Sequence, residues 1–175
     1  MSQTHIEFQC TPQSIVQELY HEDITNMVET RCFAYSLLKY GLRETHRPDK
    51  QTPMSYDEVK TMLLKAHIPP ESLLSFLVPD DILDDRRVEV FGGQKMTVKE
   101  LRESHFADEE RLIRPTFSDP TALLQLVHEV ATIQYDEVKD LDPRSDMRIS
   151  LKQGSLKRLL RLIQPATSDP TLNRK

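Results

Sequence analysis

The hydrophobic pattern of the chain is helical along most of its length, and it is clearest between Ser118 and Leu141. A Ser-Asp-Pro sequence carries residue types that begin helices, and Asp142-Pro143 would end this one. Its broad apolar face predicts contact with at least two neighbouring elements. Gln134 and Glu137 lie inside or beside that face, so each needs a partner if it is buried. The face consists of Leu123, Leu126, Val127, Val130, Ala131, Ile133, Val138 and Leu141.

Similar patterns predict further helices before this one. Two helices are expected between Thr11 and Thr45, separated near Asp23, and a short one from Pro70 to Leu77. Two more begin with a capping box, in which a Ser or Thr is followed three residues later by a Glu. These pairs are Ser55 with Glu58, for a helix to about His67, and Thr97 with Glu100, for a helix to Arg114 with a break between 104 and 108.

A short stretch of the chain alternates in the manner of a β-hairpin. The strands are predicted at Arg87–Phe91 and Lys95–Val98, joined by a turn at Gly92-Gly93. The predicted fold is therefore mainly α: a single-domain bundle of about six to eight helices with one small hairpin near 87–98. Four glycines in 175 residues also favour a helical protein. We expect a flexible N-terminal arm over 1–10, a helical domain over 11–164 and a C-terminal tail over 165–175.

One segment of the chain resembles another. Residues 111–121 and 161–171 are identical at eight of eleven positions, and both read as the end of a helix, a Pro, and a Ser-Asp-Pro helix start. Chance reuse of the same local signals is the favoured interpretation. A helical repeat of about 50 residues is the alternative. The sequences between the two segments show no further similarity, which favours chance.

Composition and charge exclude several classes of protein. A formal net charge of −5 argues against binding of nucleic acid by the whole surface. Cys10 and Cys32 are the two cysteines, which predicts neither a disulfide framework nor a cysteine-based zinc site. No apolar run is long enough for a membrane span, and the first residues lack a signal-peptide pattern. We therefore expect a soluble, cytoplasmic protein.

No motif for catalysis or for a bound ion stands out. The six histidines lack the spacing of a helical metal site, and Gly92-Gly93 lacks the Lys-Ser/Thr that follows a phosphate loop. His128 is interpreted as a boundary residue and Cys32 as a small buried hydrophobe. We predict no catalytic residue, no cofactor and no metal.

The acidic run from Asp80 to Asp85 lacks the alternating oxygen ligands of a calcium loop. It is interpreted as a solvated turn whose acids pair with Arg86 and Arg87.

A helix-turn-helix with a wing is a further interpretation of residues 55–98. The order helix, tight turn, short helix and hairpin is that of a winged DNA-binding domain. The would-be recognition segment, 71–81, contains no Lys or Arg, although phosphate contacts require cations. This composition argues against DNA reading by the segment.

Basic residues are concentrated in 144–163, which contains six cations and one acid. Ser155 is predicted to cap an amphipathic helix there. The helix could close the core, dock on an acidic partner or contact another anionic surface, and the first interpretation is favoured. Its charge would then complement the acidic region 80–110. The predicted partner-binding residues are Arg148, Lys152, Lys157, Arg158 and Arg161.

Taken as a sequence, the chain is predicted to be a non-enzymatic protein-interaction module, such as an adaptor, a regulator or a small accessory subunit. It would bind a protein partner through helical surfaces, and a homo-oligomer is left open. One alternative is a nucleic-acid-associated regulator that uses 144–163. Another is an enzyme with a dispersed polar site, for which a pocket lined by His128, Tyr135 or Glu137 would be the indication.

Overall fold

The computed structural model describes residue 8 and residues 10–20 and 23–164. Within these residues the chain forms eight α-helices, an eight-residue 3₁₀ helix and one antiparallel hairpin, which confirms the predicted mainly α class. The elements are α1 (Pro12–Tyr20), α2 (Ile24–Thr45), α3 (Tyr56–Lys65), the 3₁₀ helix (Pro70–Leu77), α4 (Asp80–Leu83), β1 (Arg87–Glu89), β2 (Lys95–Thr97), α5 (Val98–His105), α6 (Ala107–Phe117), α7 (Pro120–Val138) and α8 (Met147–Leu162).

Local capping sets the start of several helices, as the sequence predicts. The Asp23 carboxylate accepts two backbone N–H groups in the first turn of α2, which separates that helix from α1. At α3, Ser55 Oγ accepts the N–H of Glu58 at 3.2 Å, and the Glu58 carboxylate accepts the N–H of Ser55 at 3.1 Å. Thr97 and Glu100 form the same reciprocal pair at α5.

Helix α7 lies at the centre of the core and packs against α8, the 3₁₀ helix, α3 and α6. Gln134 on this helix is buried, and its Nε2 donates to the carbonyl of Ile68 at 3.0 Å, which is the partner that burial requires. Two predicted core residues are exposed instead. Ile133 lies at the edge of the apolar arc, and Leu141 follows the last turn of α7, where helical periodicity no longer applies.

Two helix boundaries and one helix type differ from the prediction. Helix α6 continues through Pro115 to Phe117, because a proline in the last turn removes only one intrahelical hydrogen bond. Helix α7 begins as the Ser-Asp-Pro sequence predicts, with Asp119 as its cap and Pro120 in its first turn, but it ends at Val138 and not at Leu141. Residues 70–77 form a 3₁₀ helix rather than an α-helix.

Helix α8 is the largest correction, because it begins at Met147 and not at Ser155. Asp146 caps it by accepting the backbone N–H of Arg148 at 2.8 Å, and Gly154 lies inside the helix without ending it. Leu156, Leu159 and Ile163 are buried. The second half of α8 therefore closes the core against α7, as the favoured interpretation expects.

The predicted hairpin forms in the register Arg87 to Thr97, Val88 to Met96 and Glu89 to Lys95. Gly92 and Gly93 in its turn have φ of 81° and 76°, a conformation that favours glycine.

The predicted tail and most of the arm lie outside the described residues, and so does most of the second similar segment, 161–171. Of the arm, Phe8 contacts the His128 ring at 6.2 Å between centroids.

Candidate functional site

The five cations predicted to bind a partner are spread over α8 and do not form one patch. Arg148 is exposed and pairs with Asp146 in the first turn, at 3.0 Å. Arg158, in the second half, donates to the Glu18 carbonyl of α1 at 3.4 Å, so it contacts the protein itself. Lys152 lies in the first half of α8. Lys157 and Arg161 lie in the second half, where both are exposed and form no ion pair with any residue of the described ranges.

The first half of α8 exposes two large apolar side chains one turn apart. Met147 is 77% exposed and Leu151 is 63% exposed, the two highest values among the large hydrophobic residues described as exposed. Residues four apart on a helix are neighbours on its surface, and Arg148 and Lys152 form the adjoining pair with the same spacing. Apolar and basic side chains thus form two parallel rows along this half of α8, which we name the α8 surface.

A groove of about 270 Å³ adjoins the α8 surface. It lies between the middle turns of α8, Gln134 of α7 and the turn that leads into the 3₁₀ helix. Burial raises the pKa of Glu71 in this groove above its ordinary value, and the charge of Lys152 opposes that rise only in part. The groove is lined by His67, Pro69, Pro70, Glu71, Gln134, Leu151, Lys152, Ser155 and Leu156.

The exposed apolar pair is not needed to hold α8 in place. Gln153 Nε2 donates to the carbonyls of Val138 at 2.6 Å and Leu141 at 2.9 Å, which ties α8 to the end of α7. The cap at Asp146 fixes the first turn. Met147 and Leu151 therefore remain available for contact with another molecule.

The acidic region 80–110 does not pair with α8, contrary to the prediction. Its acids instead bind arginines from three other helices, α2, α5 and α6. Arg86 and Arg87, the predicted partners of the acidic turn, form no ion pair within the described chain. The closest contacts are Arg31 Nη1 to Asp80 Oδ1 at 2.7 Å, Arg102 Nη1 to Asp84 Oδ1 at 2.6 Å and Arg114 Nε to Glu110 Oε2 at 2.7 Å.

These three arginines and three acids form what we name the arginine cluster, and Arg31 is its most buried member. The Arg31 guanidinium also donates to the carbonyls of Ser75 at 2.8 Å and Val78 at 2.7 Å. It lies 4.8 Å from the centre of the Phe76 ring, in cation–π contact. The two Nη atoms are paired and hydrogen-bonded, as a buried charge requires, whereas the buried Nε has no hydrogen-bond partner among the described residues.

The acids of the cluster are equally well satisfied. Burial raises the pKa of Asp80, but Arg114, Arg31 and Arg102 outweigh burial and leave the pKa below its ordinary value. Glu110 accepts hydrogen bonds from Arg114 and from the Tyr35 hydroxyl. With three cations on three acids, the cluster is a structural tie between helices and offers no free charge to a ligand.

The structure also bears on the winged-helix interpretation. The 3₁₀ helix occupies the position of a recognition helix, but six of its eight residues are buried. A segment packed into the core cannot enter a DNA groove, since recognition helices contact bases with exposed side chains. The element serves packing.

The residues named for a dispersed enzyme site do not converge on one polar centre. His128 is half-buried against Phe8, and burial lowers its pKa despite the nearby Glu129. Glu137 is exposed and Tyr135 is half-buried. No group of three or more His, Cys, Asp or Glu suited to a metal ion occurs in the part of the chain that the structure describes.

Sequence reasoning missed Met147 and Leu151 because Ser155 was interpreted as the cap of this helix. The signal for an earlier start was nonetheless present. Asp146 is a good N-cap residue, and Ile149 lies seven residues before Leu156, which is the spacing of one helical face.

No protein-family model, no curated protein and no solved structure matches this chain. None of the helices within the described ranges is long and apolar enough to cross a membrane.

Proposed function

We propose that this chain is a non-enzymatic protein-interaction module whose α8 surface binds an acidic amphipathic helix of a partner protein. The observation that carries the proposal is the exposure of Met147 and Leu151 one turn apart on a helix that is anchored by other residues. Adaptor, regulator and accessory subunit are the roles that such a module serves.

The apolar row supplies the binding energy in this proposal. Full burial of a Met or Leu side chain is worth about 1.5–3 kcal/mol, and a few buried anchors carry most of the energy of an interface. An amphipathic helix presents its own anchors at spacings of three and four residues, which matches the spacing of Met147 and Leu151. The adjoining groove offers room for one anchor of the partner.

The basic row supplies specificity. Arg148 is 90% exposed and held by one surface ion pair, which solvent screens and which is readily exchanged for a partner's carboxylate. Arg144, just before α8, is 91% exposed and is held in the same way by Asp142. Exposed cations along an apolar row favour an acidic partner and speed its association.

The test uses a synthetic amphipathic helical peptide with leucines at helical spacing flanked by glutamates, and a matched peptide with lysines in their place. We expect the acidic peptide to bind at least about tenfold more tightly, measured by fluorescence anisotropy. Charge reversal in Arg148→Glu with Lys152→Glu should abolish that preference. Lys157→Glu with Arg161→Glu makes the same charge change elsewhere on α8 and should preserve it.

Three outcomes would contradict the proposal. The two peptides could bind equally, both charge-reversed variants could lose binding alike, or sedimentation could show a homo-oligomer whose contact covers the α8 surface. The last would assign the surface to a second copy of the chain.

A nucleic-acid-associated function rests on Lys157 and Arg161, which are exposed without ion pairs among the described residues. It ranks second because the net charge of −5 opposes it. We expect no micromolar binding to oligonucleotides at about 150 mM salt. Binding that Lys157→Glu with Arg161→Glu removes would reverse the ranking.

A cytoplasmic location is also part of the proposal. Cys10 and Cys32 are free thiols, which suits a reducing compartment.

A further inference from the structure

A second groove, on α2 and α6, contains a charge that the protein does not satisfy. The groove has a volume of about 210 Å³ and lies between the second half of α2, the loop at 46–50 and the first turns of α6. Basic side chains dominate its wall, although the chain as a whole is acidic. Glu109 of α6 lines the same groove.

Glu109 is a largely buried residue whose carboxylate faces the groove and has no partner from another residue in the described ranges. It is 6% exposed, and within the described residues it forms no ion pair and accepts no hydrogen bond from another residue's side chain or backbone. Its neighbours in the same helical turn do have partners, since Asp108 pairs with Arg111 and Glu110 with Arg114. Membership of the first turn of α6 therefore does not explain why Glu109 alone is left unpaired.

The surroundings of Glu109 disfavour its charged form. Burial raises the pKa of Glu109 above its ordinary value, and Asp108 and Glu110 add to the rise. The carboxylate's own backbone N–H and the charge of Lys39 oppose it. The Glu109 carboxylate is accessible from the groove, so a ligand with a hydrogen-bond donor that enters the groove can become its partner.

Some cations of the groove donate hydrogen bonds within the described part of the chain, and others do not. Lys39 Nζ donates to the His105 carbonyl at 3.0 Å, and Arg111 donates to the Lys50 carbonyl at 3.0 Å. By contrast, the side chains of Arg43 and Lys50 form no hydrogen bond or ion pair with the residues that the structure describes. Two free cations and one free buried carboxylate thus line the same groove.

We propose that this groove binds a small zwitterion, whose ammonium donates to Glu109 and whose phosphate or carboxylate contacts Arg43 and Lys50. Both charges of such a ligand find a free opposite charge, and the pairing satisfies Glu109. The groove volume of about 210 Å³ has room for a small organic molecule such as an amino acid or a phosphorylated amine.

The experiment titrates the full chain with O-phosphoethanolamine, β-alanine, ethanolamine and inorganic phosphate, followed by amide chemical shifts in NMR. We expect at least one zwitterion to bind about tenfold or more tightly than either single-charge probe, with shifts at residues 39–50 and 107–112. Tighter binding of O-phosphoethanolamine would assign the anionic group to a phosphate, and tighter binding of β-alanine to a carboxylate. The proposal is overturned if neither zwitterion binds more tightly than ethanolamine and inorganic phosphate. It is also overturned if no amide shift occurs with about 10 mM zwitterion.

The variant Glu109→Gln tests the contact with the ligand's ammonium separately from the contact with its anionic group. The amide is isosteric and removes a buried charge, so the variant should fold, and its unperturbed amide spectrum would verify that. It should bind the zwitterion no more tightly than its anionic half while phosphate binding is unchanged. Arg43→Gln with Lys50→Gln should weaken both probes. Glu103→Gln, at an exposed acid of α5, is the control and should bind as the parent does.

A direct readout is the pKa of Glu109 itself, measured from its side-chain carbon shift. The bound ammonium should lower it, because an opposite charge favours the carboxylate. An unchanged pKa in the presence of saturating zwitterion would contradict the proposed contact, and so would unaltered binding by Glu109→Gln.

Discussion

The arginine cluster and the α8 surface both contain arginines paired with acids, but these arginines differ in their burial and in their number of partners. In the cluster, Arg31 is fully buried and donates to Asp80 and two backbone carbonyls. On the α8 surface, Arg148 is 90% exposed and has one acidic partner two residues away. The first arginine joins α2 to α4 and the 3₁₀ helix, whereas the second joins nothing beyond its own turn.

This difference teaches how to separate structural charges from charges available for binding. Residue types alone do not do so, because both regions contain arginines paired with acids. The criterion is the number and burial of the partners. A buried arginine with several acceptors stabilises the fold, and an exposed one with a single local partner costs little to move to another molecule.

The largest expected effect is that of Arg31→Met, which keeps much of the side chain's volume and removes its charge. Removing one partner of a fully buried ion pair costs about 3–5 kcal/mol. Asp80 is 35% exposed and keeps Arg102 and Arg114, which lowers the cost, but two buried carbonyls also lose their donor. Urea unfolding should show a loss of about 3 kcal/mol, at the lower end of this range, or no folded protein. The matched change Arg148→Met should leave the urea midpoint unchanged, because the ion pair of Arg148 is exposed to solvent. Similar effects for the two variants would remove the distinction.

Two glycines extend the comparison to packing. An alanine Cβ at Gly41 of α2 would lie 2.9 Å from Ile68 Cδ1 and 3.0 Å from Met62 Cγ. Overpacking costs about 1–3 kcal/mol, which exceeds the roughly 0.5–1 kcal/mol that alanine gains over glycine in a helix. Gly41→Ala should therefore lower the midpoint of thermal unfolding.

At Gly154 of α8 the same Cβ meets nothing within 4 Å. Gly154→Ala should raise the stability by about 0.5–1 kcal/mol, since the helix gain is unopposed. A stabilising Gly41→Ala or a destabilising Gly154→Ala would contradict the packing described for the two regions.

A smaller effect concerns the pH dependence of the cluster. The folded-state pKa of Asp80 is depressed below its ordinary 3.8, so its contribution is complete above about pH 4 and is lost as the pH falls through the folded value. Asp80→Asn should cost about 1 kcal/mol near neutral pH, a figure reduced by the partial exposure of this side chain. The cost should shrink at about pH 2.

Asp85→Asn is the control for that measurement. Asp85 is an exposed acid of the same region, without an ion pair in the described chain. The variant should be neutral at both pH values. A difference between Asp80→Asn and the parent that persists unchanged at about pH 2 would show that the carboxylate charge is not what stabilises the cluster.

The fold was predictable wherever its determinants are local. The caps at Asp23, Ser55 and Thr97 and the turn at Gly92-Gly93 act within a few residues, and the structure has each of them. The one serious boundary error, at α8, also came from a local signal, because Ser155 was interpreted as a cap although it lies inside the helix that Asp146 caps.

The arginine cluster and the unpaired carboxylate were not predictable in this way. Arg31 and Asp80 are 49 residues apart, and Arg114 lies 34 residues beyond Asp80. Their pairing depends on how α2, α4 and α6 pack, and the sequence around Asp80 offers nearer arginines at 86 and 87 that the fold directs elsewhere. The isolation of Glu109 likewise depends on packing, since its sequence neighbours are also acidic.

The most direct test of the central claim, that the α8 surface is for binding and not for stability, is the double substitution Met147→Ser with Leu151→Ser. We predict a midpoint of thermal unfolding within about a degree or two of the parent's, because both side chains are already exposed. We also predict at least about a tenfold loss of affinity for the acidic amphipathic peptide. A clear drop in thermal stability, or peptide binding equal to the parent's, would contradict the account.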